Sequence, residues 1–404
     1  MLYGGRMNSL TYEELILLDN LIYLKWDIKE NEKLINLVDN LLKSENFDYL
    51  MEAIGDCIIR MDTKEWIMIL NQIKVKPNLS NLRIKNINDY NNGMEYACFV
   101  NEEGNATVIF RGTATTKEWN DNGKGAYEYD TLEQIEALKY INNLEYSDIT
   151  VSGHSKGGNK AQYVSIFSPK VSKCVSIDGQ GFSKEFISRY GEEISKNKEK
   201  IISINAKYDY VNCLFNLISE KNIYIKTEIQ INPFDYHKAS VLLDGNGNLR
   251  DETNEAEFSK IINYFSSSII SNLPDNLRYL VIDGIVNVIE LMLCRTDGKD
   301  NLFKSLGEYL IMFCHDGCSN YKEFFSIGYA VSEILILPLL FWKDFVIVEE
   351  SNSKELLNNV VVRMKLLESM SIKKLQIIDK SQIDLIQSIS SAVDELIYRI
   401  ENEI

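Results

Sequence analysis

A serine with a glycine two residues away on either side lies in the segment Gly153-His-Ser-Lys-Gly-Gly158. This spacing is typical of a nucleophile elbow, in which a serine at the apex of a tight strand-to-helix turn carries the reactive hydroxyl. Larger side chains at Gly153 and Gly157 would collide across such a turn. The apolar segment Ile149-Thr-Val151 before it predicts the required strand, and the N-terminus of the following helix favours developing negative charge. We therefore predict that Ser155 is the nucleophile of an acyl-transfer reaction.

A serine nucleophile needs a base, and the sequence contains only three histidines that can supply an imidazole. His154 adjoins the serine on the turn and is poorly placed to reach its hydroxyl, so its predicted role is packing at the elbow. His315 lies in a helical region outside the strands. His237 follows a strand-like run and comes after Ser155 along the chain, the order that hydrolases with this elbow require. Elimination and chain order both predict His237 as the base.

Two aspartates compete for the role of the acid that orients the base. Asp209 follows the predicted strand over residues 201–204 and lies between the serine and the histidine along the chain. Asp178 also follows a predicted strand, and its other role would be that of a structural carboxylate in a turn. Chain order and strand position favour Asp209, and Asp178 stays open as the alternative acid.

Two donors are expected to bind the oxyanion of such a reaction. One is the backbone N–H of Lys156, the residue after the nucleophile, and the other belongs to a loop that follows an earlier strand. Phe110-Arg-Gly-Thr113 ends such a strand, so Thr113 is predicted to contribute its amide and its hydroxyl. We expect the side chain of Lys156 to be solvated at the start of the helix; the alternative is that it favours an anionic head group of the substrate. The chemistry needs no cofactor or metal, and Cys314-His-Asp-Gly-Cys318 lacks the second ligand pair of a zinc site.

These residues require a sheet that brings the ends of several strands together. Strands and helices alternate from residue 107 onward, which predicts an α/β fold with a mainly parallel sheet. The site of such a sheet lies at the carboxyl ends of its strands. Strands are predicted at residues 96–100, 107–111, 148–152, 173–177, 200–204 and 223–231, and helices near residues 132–143, 159–167 and 184–187.

Helices precede and follow the predicted sheet. The capping box Thr11-Tyr-Glu-Glu14 begins a first helix, and two more are expected near residues 30–43 and 64–73. Residues 77–93 show little periodicity and are predicted to form a loop. After residue 249 we predict helices alone, the last of them marked by apolar residues at a 3,4 spacing over residues 386–400. This apolar seam fits packing inside a helical domain, and a short coiled coil is the alternative.

The length and composition limit the number of domains and the kinds of partner that the protein can bind. The length of 404 residues predicts two domains, or one large domain with an appendage. Because the predicted strands stop near residue 250, we expect residues 1–250 to form an α/β domain with a helical lead-in and residues 251–404 a helical domain of unknown role. A net charge of −16 argues against nucleic-acid binding. The apolar run over residues 329–342 is too short to span a membrane, and Met1–Asn8 shows no signal peptide. With seven scattered cysteines as well, we expect a cytoplasmic protein; transient lipid contact and oligomeric state stay open.

Taken together, these segments resemble the class 3 lipases and their relatives. Val108-Ile-Phe-Arg-Gly-Thr113, followed by Trp119-Asn-Asp121, and then the elbow carry the likeness. Residues 205–211 and 236–247 are similar to the acid and base segments of that group. The lysine after the nucleophile and the stretch Asp178-Gly-Gln-Gly-Phe182 resemble more closely one bacterial family of lipase-like α/β-hydrolases, the Mbeg-like proteins. The resemblance covers about residues 7–250.

This resemblance implies an α/β-hydrolase fold and a serine esterase or lipase-like activity. By analogy, Ser155 is the nucleophile, Asp209 the acid, His237 the base and Thr113 an oxyanion residue. The expected reaction is hydrolysis of a carboxylic ester, of a small molecule, a lipid or a phospholipid, through an acyl-enzyme. The alternative is a non-catalytic or accessory protein with the same fold that presents its helical region to a partner.

Overall fold

We describe the fold from a computed structural model of the chain. It describes residues 9–24, 29–44, 61–90, 93–113, 129–230, 233–269, 337–378 and 383–404, together with residues 272 and 278. The segments Trp119–Asp121 and Cys314–Cys318, named in the sequence analysis, lie outside these ranges, as does His315. The same is true of residues 329–336, the first part of the apolar run.

The strands of the described residues form one sheet of eight strands, in which each strand pairs with its neighbours in the sequence. The pairings from β3 to β7 are parallel, and β1, β2 and β8 are added in antiparallel orientation at the two edges. The predicted α/β architecture with a mainly parallel sheet is therefore confirmed. The strands are β1 Arg83–Tyr90, β2 Gly93–Val100, β3 Ala106–Phe110, β4 Ile149–His154, β5 Val171–Ile177, β6 Ile201–Ala206, β7 Lys221–Ile225 and β8 Glu252–Thr253.

Helices precede the sheet, connect its parallel strands and follow it. They are α1 Tyr12–Leu21, α2 Leu34–Leu42, α3 Thr63–Val75, α4 Pro77–Ser80, α5 Leu132–Asn143, α6 Lys156–Phe167, α7 Lys184–Arg189, α8 Gly191–Asn197, α9 Glu257–Tyr264, α10 Leu337–Leu340, α11 Trp342–Ser351, α12 Lys354–Ile378 and α13 Ile383–Glu403. The predicted capping box of α1 is present, with Thr11 and Glu14 each bonded to the other's backbone N–H. None of the helices among the described residues is long and apolar enough to cross a membrane.

The sheet is covered on both faces because its strands alternate in the direction of their side chains. Phe99 and Ile109 pack with α1, α2 and α3 on one face. Cys98 and Val108, each one residue before these in sequence, pack with α5, α6 and α7 on the other face. The N-terminal helices thus form one layer of the protein, and the helices that connect the parallel strands form the opposite layer.

A third cluster of buried side chains joins the C-terminal helices to the loop after β6. Tyr208, Tyr210 and Phe258 share this cluster with Trp342 and with residues of α12 and α13. Within α13 the seam residues Val393, Leu396 and Ile400 are buried, so this part of the predicted apolar seam packs inside the chain.

The prediction of a loop over residues 77–93 was wrong. This segment forms the short helix α4 and the edge strand β1, which pairs with β2 along its length. Among the first five residues of β1, only Ile84 and Ile87 are apolar. An edge strand tolerates such a composition, because many of its side chains can remain in water. Its pairing with β2, rather than its composition, determines its conformation. The short strand β8 was likewise not predicted, and β7 is shorter than the predicted run.

Candidate active site

The serine of the predicted elbow lies between β4 and α6. Ser155 has φ 59° and ψ −125°, a strained conformation for a residue with a side chain, and it is partly exposed. A Cβ atom on Gly153 would overlap the backbone of Gly157, and a Cβ on Gly157 would overlap the carbonyl oxygen of Phe110. Glycine at both positions is therefore required by close backbone packing, and the hydroxyl is presented at the carboxyl end of a central strand.

The structure brings the predicted nucleophile, base and acid together in one hydrogen-bonded series. Ser155 Oγ lies 2.8 Å from Nε2 of His237, and Nδ1 of His237 lies 2.8 Å from Oδ1 of Asp209. His237 is 3% exposed and Asp209 is fully buried. Because a carboxylate only accepts, Nδ1 carries the proton toward Asp209, which leaves Nε2 of the neutral ring free to accept the serine proton. The arrangement can move a proton from the serine hydroxyl to the imidazole.

The carboxylate of Asp209 is oriented by its own loop. Its Oδ2 accepts hydrogen bonds from the backbone N–H groups of Val211 at 3.1 Å and Asn212 at 2.8 Å. These bonds occupy one carboxylate oxygen and direct the other, Oδ1, to His237. The loop leaves β6 directly after Ala206, so the parallel sheet places Asp209 at the same edge as Ser155.

The alternative acid, Asp178, occupies a supporting position. Its Oδ1 accepts hydrogen bonds from the backbone N–H of Ala206 at 2.7 Å and from Nδ2 of Asn212 at 2.8 Å. Burial, with the charge of Asp209 as a second cause, raises the pKa of Asp178 well above its usual value. Asp178 has a φ of 44° at the turn after β5. It therefore ties the turn after β5 to the loop that carries Asp209, and the acid beside the imidazole is Asp209.

A second imidazole lies against the first. The rings of His154 and His237 have centroids 4.7 Å apart, and Nε2 of His154 lies 2.8 Å from the backbone carbonyl oxygen of His237. A carbonyl only accepts, so Nε2 of His154 is the protonated nitrogen. Burial is the main cause that lowers the pKa of His154 well below its usual value, and electrostatic repulsion from His237 is the second cause. His154 is therefore neutral, and its Nδ1 is an acceptor.

That acceptor is bonded to Tyr23, a residue that sequence reasoning did not single out. The Tyr23 hydroxyl lies 3.0 Å from Nδ1 of His154 and accepts a hydrogen bond from the backbone N–H of Gly112 at 3.1 Å. It therefore donates to His154 and accepts from Gly112. Tyr23 follows α1 and has no motif around it, so only the packing of α1 against the sheet places it here. One hydroxyl thus joins the predicted oxyanion loop to His154, which in turn bonds to the backbone of the predicted base His237.

The predicted oxyanion loop passes directly beside the nucleophile. A Cβ atom on Gly112 would lie 3.1 Å from Cβ of Ser155, and Thr113, the next residue, is 7% exposed. Lys156 begins α6, so its backbone N–H lies in the first turn of the helix, directly after Ser155. The prediction that the Lys156 side chain is solvated was wrong: it is 1% exposed. The helix starts inside the protein, between the sheet and the loops at its carboxyl edge.

Among the residues that the structure describes, no group of three or more His, Cys, Asp or Glu side chains is arranged to hold a metal ion. The hydrogen-bonded series from the Ser155 side chain leads instead to the imidazole of His237 and, through it, to the carboxylate of Asp209.

Comparison with known proteins gives one finding about the family. The family model described as Mbeg1-like matches residues 70–287, which is more than half of the chain. This span includes the strands of the sheet and all the predicted site residues, and it extends past residue 250. No curated protein matches the sequence.

Proposed function

The chain belongs to the Mbeg1-like family, and we propose that it is a serine hydrolase that cleaves carboxylic esters. The observation that carries the proposal is the series from Ser155 through His237 to Asp209, with both hydrogen bonds 2.8 Å long. A nucleophile, a base within hydrogen-bond reach and a third group that orients the base are the arrangement that activates a serine. An α/β-hydrolase relation and a cytoplasmic location are parts of the same proposal.

In the proposed reaction Ser155 Oγ attacks the ester carbonyl carbon while Nε2 of His237 takes the hydroxyl proton. Asp209 accepts the Nδ1 proton in a hydrogen bond and stabilises the imidazolium that forms. The backbone N–H of Lys156 and the amide and hydroxyl of Thr113 bind the oxyanion of the tetrahedral intermediate. His237 then returns the proton to the leaving alcohol, which yields an acyl-enzyme. A water molecule hydrolyses that ester by the same steps, with His237 again as the base.

The proposal is tested with a fluorophosphonate probe, which labels only an activated serine. We expect the wild-type protein to be labelled and Ser155→Ala to be unlabelled. Ser172→Ala, which alters an exposed serine on β5, is the matched control and should be labelled like the wild type. A folded wild-type protein that is not labelled would overturn the hydrolase proposal. It would favour the alternative of an accessory protein that presents its helical region to a partner.

The class of ester is tested separately. A series of p-nitrophenyl esters with increasing acyl length measures the preferred chain, and Ser155→Ala corrects for spontaneous hydrolysis. Rising kcat/KM with length would support a lipid or phospholipid acyl substrate. A preference for the shortest ester would remove the lipase-like assignment and leave a small-molecule esterase.

A further inference from the structure

Helix α11 forms hydrogen bonds with Tyr208, the residue that directly precedes Asp209. The indole N–H of Trp342 donates to the carbonyl oxygen of Tyr208 at 2.8 Å, and Trp342 is fully buried. Near the other end of α11, Glu350 accepts a hydrogen bond from the Tyr208 hydroxyl and pairs with Lys207 at 3.3 Å. One C-terminal helix thus binds Tyr208 both by its backbone carbonyl and by its side chain.

The peptide group between Tyr208 and Asp209 is held at both of its polar atoms. Its carbonyl oxygen accepts from Trp342, and its N–H donates to the carbonyl oxygen of Ala206 at 3.1 Å. Because a peptide group is planar, hydrogen bonds on its two sides fix the tilt of the plane and the position of the Asp209 Cα atom. The direction in which Asp209 meets His237 follows from that position.

Aromatic contacts also connect Trp342 and Tyr208 to the segments that carry the predicted acid and base. Tyr210, the residue after Asp209, lies with its ring 6.3 Å from Trp342 and 5.5 Å from the imidazole of His237. The ring of Tyr208 packs 5.7 Å from that of Tyr236, which directly precedes the base in the chain. Trp342 is therefore in contact with the residues on both sides of the acid and, through one ring, with the base.

We propose that Trp342, assisted by Glu350, is a positioning residue that sets the orientation of Asp209 toward His237. The C-terminal helical region then completes the site through α11, which gives a role to a region for which the sequence predicted none. The kinetic consequence of this inference rests on the proposed function. Its geometric consequence, the state of the hydrogen bond between His237 and Asp209, does not depend on any activity.

The test uses the full chain with Trp342→Phe, which keeps an aromatic ring in the core and removes the N–H donor. Since the protein has three histidines, NMR of ¹⁵N-histidine-labelled protein can follow the Nδ1–H proton of His237, identified by its loss in His237→Gln. We expect Trp342→Phe to shift or broaden this resonance. The rate of Ser155 labelling by fluorophosphonate should fall, by up to about 100-fold if Asp209 moves by about 1 Å.

Two further variants separate positioning from general stability. Glu350→Ala acts at the exposed end of α11, where the Glu350 side chain is 39% exposed, and should move the same resonance in the same direction by a smaller amount. Val393→Ala removes apolar volume from the same cluster of buried side chains, at a fully buried position of α13, a helix that packs against α12. It should lower stability and leave the His237 resonance and the labelling rate at their wild-type values.

Each result decides the inference. A folded Trp342→Phe protein with the wild-type His237 resonance overturns it, as does an equal change of that resonance in Val393→Ala. If Trp342→Phe does not fold, Glu350→Ala decides, and a wild-type resonance in that variant overturns the inference. A wild-type protein that the probe does not label overturns the proposed function alone, and the resonance still decides whether α11 positions Asp209.

Discussion

The hydroxyl of Tyr23 is a single group whose removal should affect both stability and reactivity. It accepts from the N–H of Gly112 and donates to Nδ1 of His154, so it links the predicted oxyanion loop to the imidazole that bonds to the backbone of His237. Tyr23→Phe deletes this oxygen and keeps the ring. The change leaves one backbone donor and one imidazole acceptor without this partner.

The size of the effect follows from the burial of these groups. A buried donor or acceptor without a partner costs about 1–3 kcal/mol, and the two groups together set an upper bound of about 6 kcal/mol. Tyr23 itself is half-buried, so water can reach the vacated position and restore part of the bonding. We therefore expect the free energy of unfolding to fall by about 1–2 kcal/mol. If a similar amount is lost in the transition state, the labelling rate falls about tenfold, since 1.4 kcal/mol corresponds to a factor of ten.

Urea unfolding and the rate of fluorophosphonate labelling measure the two effects. Tyr12→Phe is the matched control, because Tyr12 is also half-buried and its ring faces Lys173 Nζ at 5.3 Å, a contact that phenylalanine keeps. It should change the unfolding free energy by less than about 0.5 kcal/mol and leave the labelling rate unchanged. Wild-type labelling of a folded Tyr23→Phe protein would refute the argument that this hydroxyl positions the loop. So would an equal loss of labelling in Tyr12→Phe.

Three other variants test separate parts of the structure. Asn212→Ala breaks the link between Asp178 and the Asp209 loop, so kcat for p-nitrophenyl acetate should fall with KM unchanged; a change in KM alone would speak against this. Burial raises the pKa of Asp19 well above its usual value, so the folded protein keeps a proton that the unfolded chain releases above about pH 4. The stability of the wild type should therefore decline relative to Asp19→Asn as the pH rises from about 5 to 8, by at most about 1.4 kcal/mol per pH unit, in urea unfolding at each pH; parallel curves would contradict the buried, protonated state. A Cβ atom on Gly157 would overlap the carbonyl oxygen of Phe110, whereas one on Gly191 would have no atom within 4 Å. Gly157→Ala should consequently lose labelling and lower the unfolding midpoint, and Gly191→Ala should keep both.

The features that the sequence predicted well are those encoded by residues close together in the chain. The capping box of α1 depends on Thr11 and Glu14, and the helix predicted over residues 132–143 has those bounds in the structure. The elbow is equally local, because its glycines and its serine lie within five residues, 153–157. The order of Ser155, Asp209 and His237 along the chain adds a topological constraint. Together these signals were sufficient to name the three residues that the structure places in hydrogen-bonded contact.

The errors have a common physical cause. Strand β1 was predicted as a loop because its mostly polar sequence carries little periodic signal, and its conformation comes from pairing with β2. Lys156 was expected in water because lysine is seldom buried, but the start of α6 lies beneath the loops at the edge of the sheet. In both cases the environment provided by other segments outweighed the preference of the residue itself.

By itself the sequence determined the type of sheet, the elbow and the candidate nucleophile, base and acid, because each depends on local spacing or on chain order. Only the tertiary structure decided what surrounds them. Tyr23 bonds to His154 from 131 residues away, and Trp342 bonds to Tyr208 from 134 residues away. No local pattern marks such partners, since their positions result from how the N-terminal and C-terminal helices pack on the sheet. The same packing assigned Asp209 rather than Asp178 to the imidazole, because the loop after β6, and not the turn after β5, reaches His237.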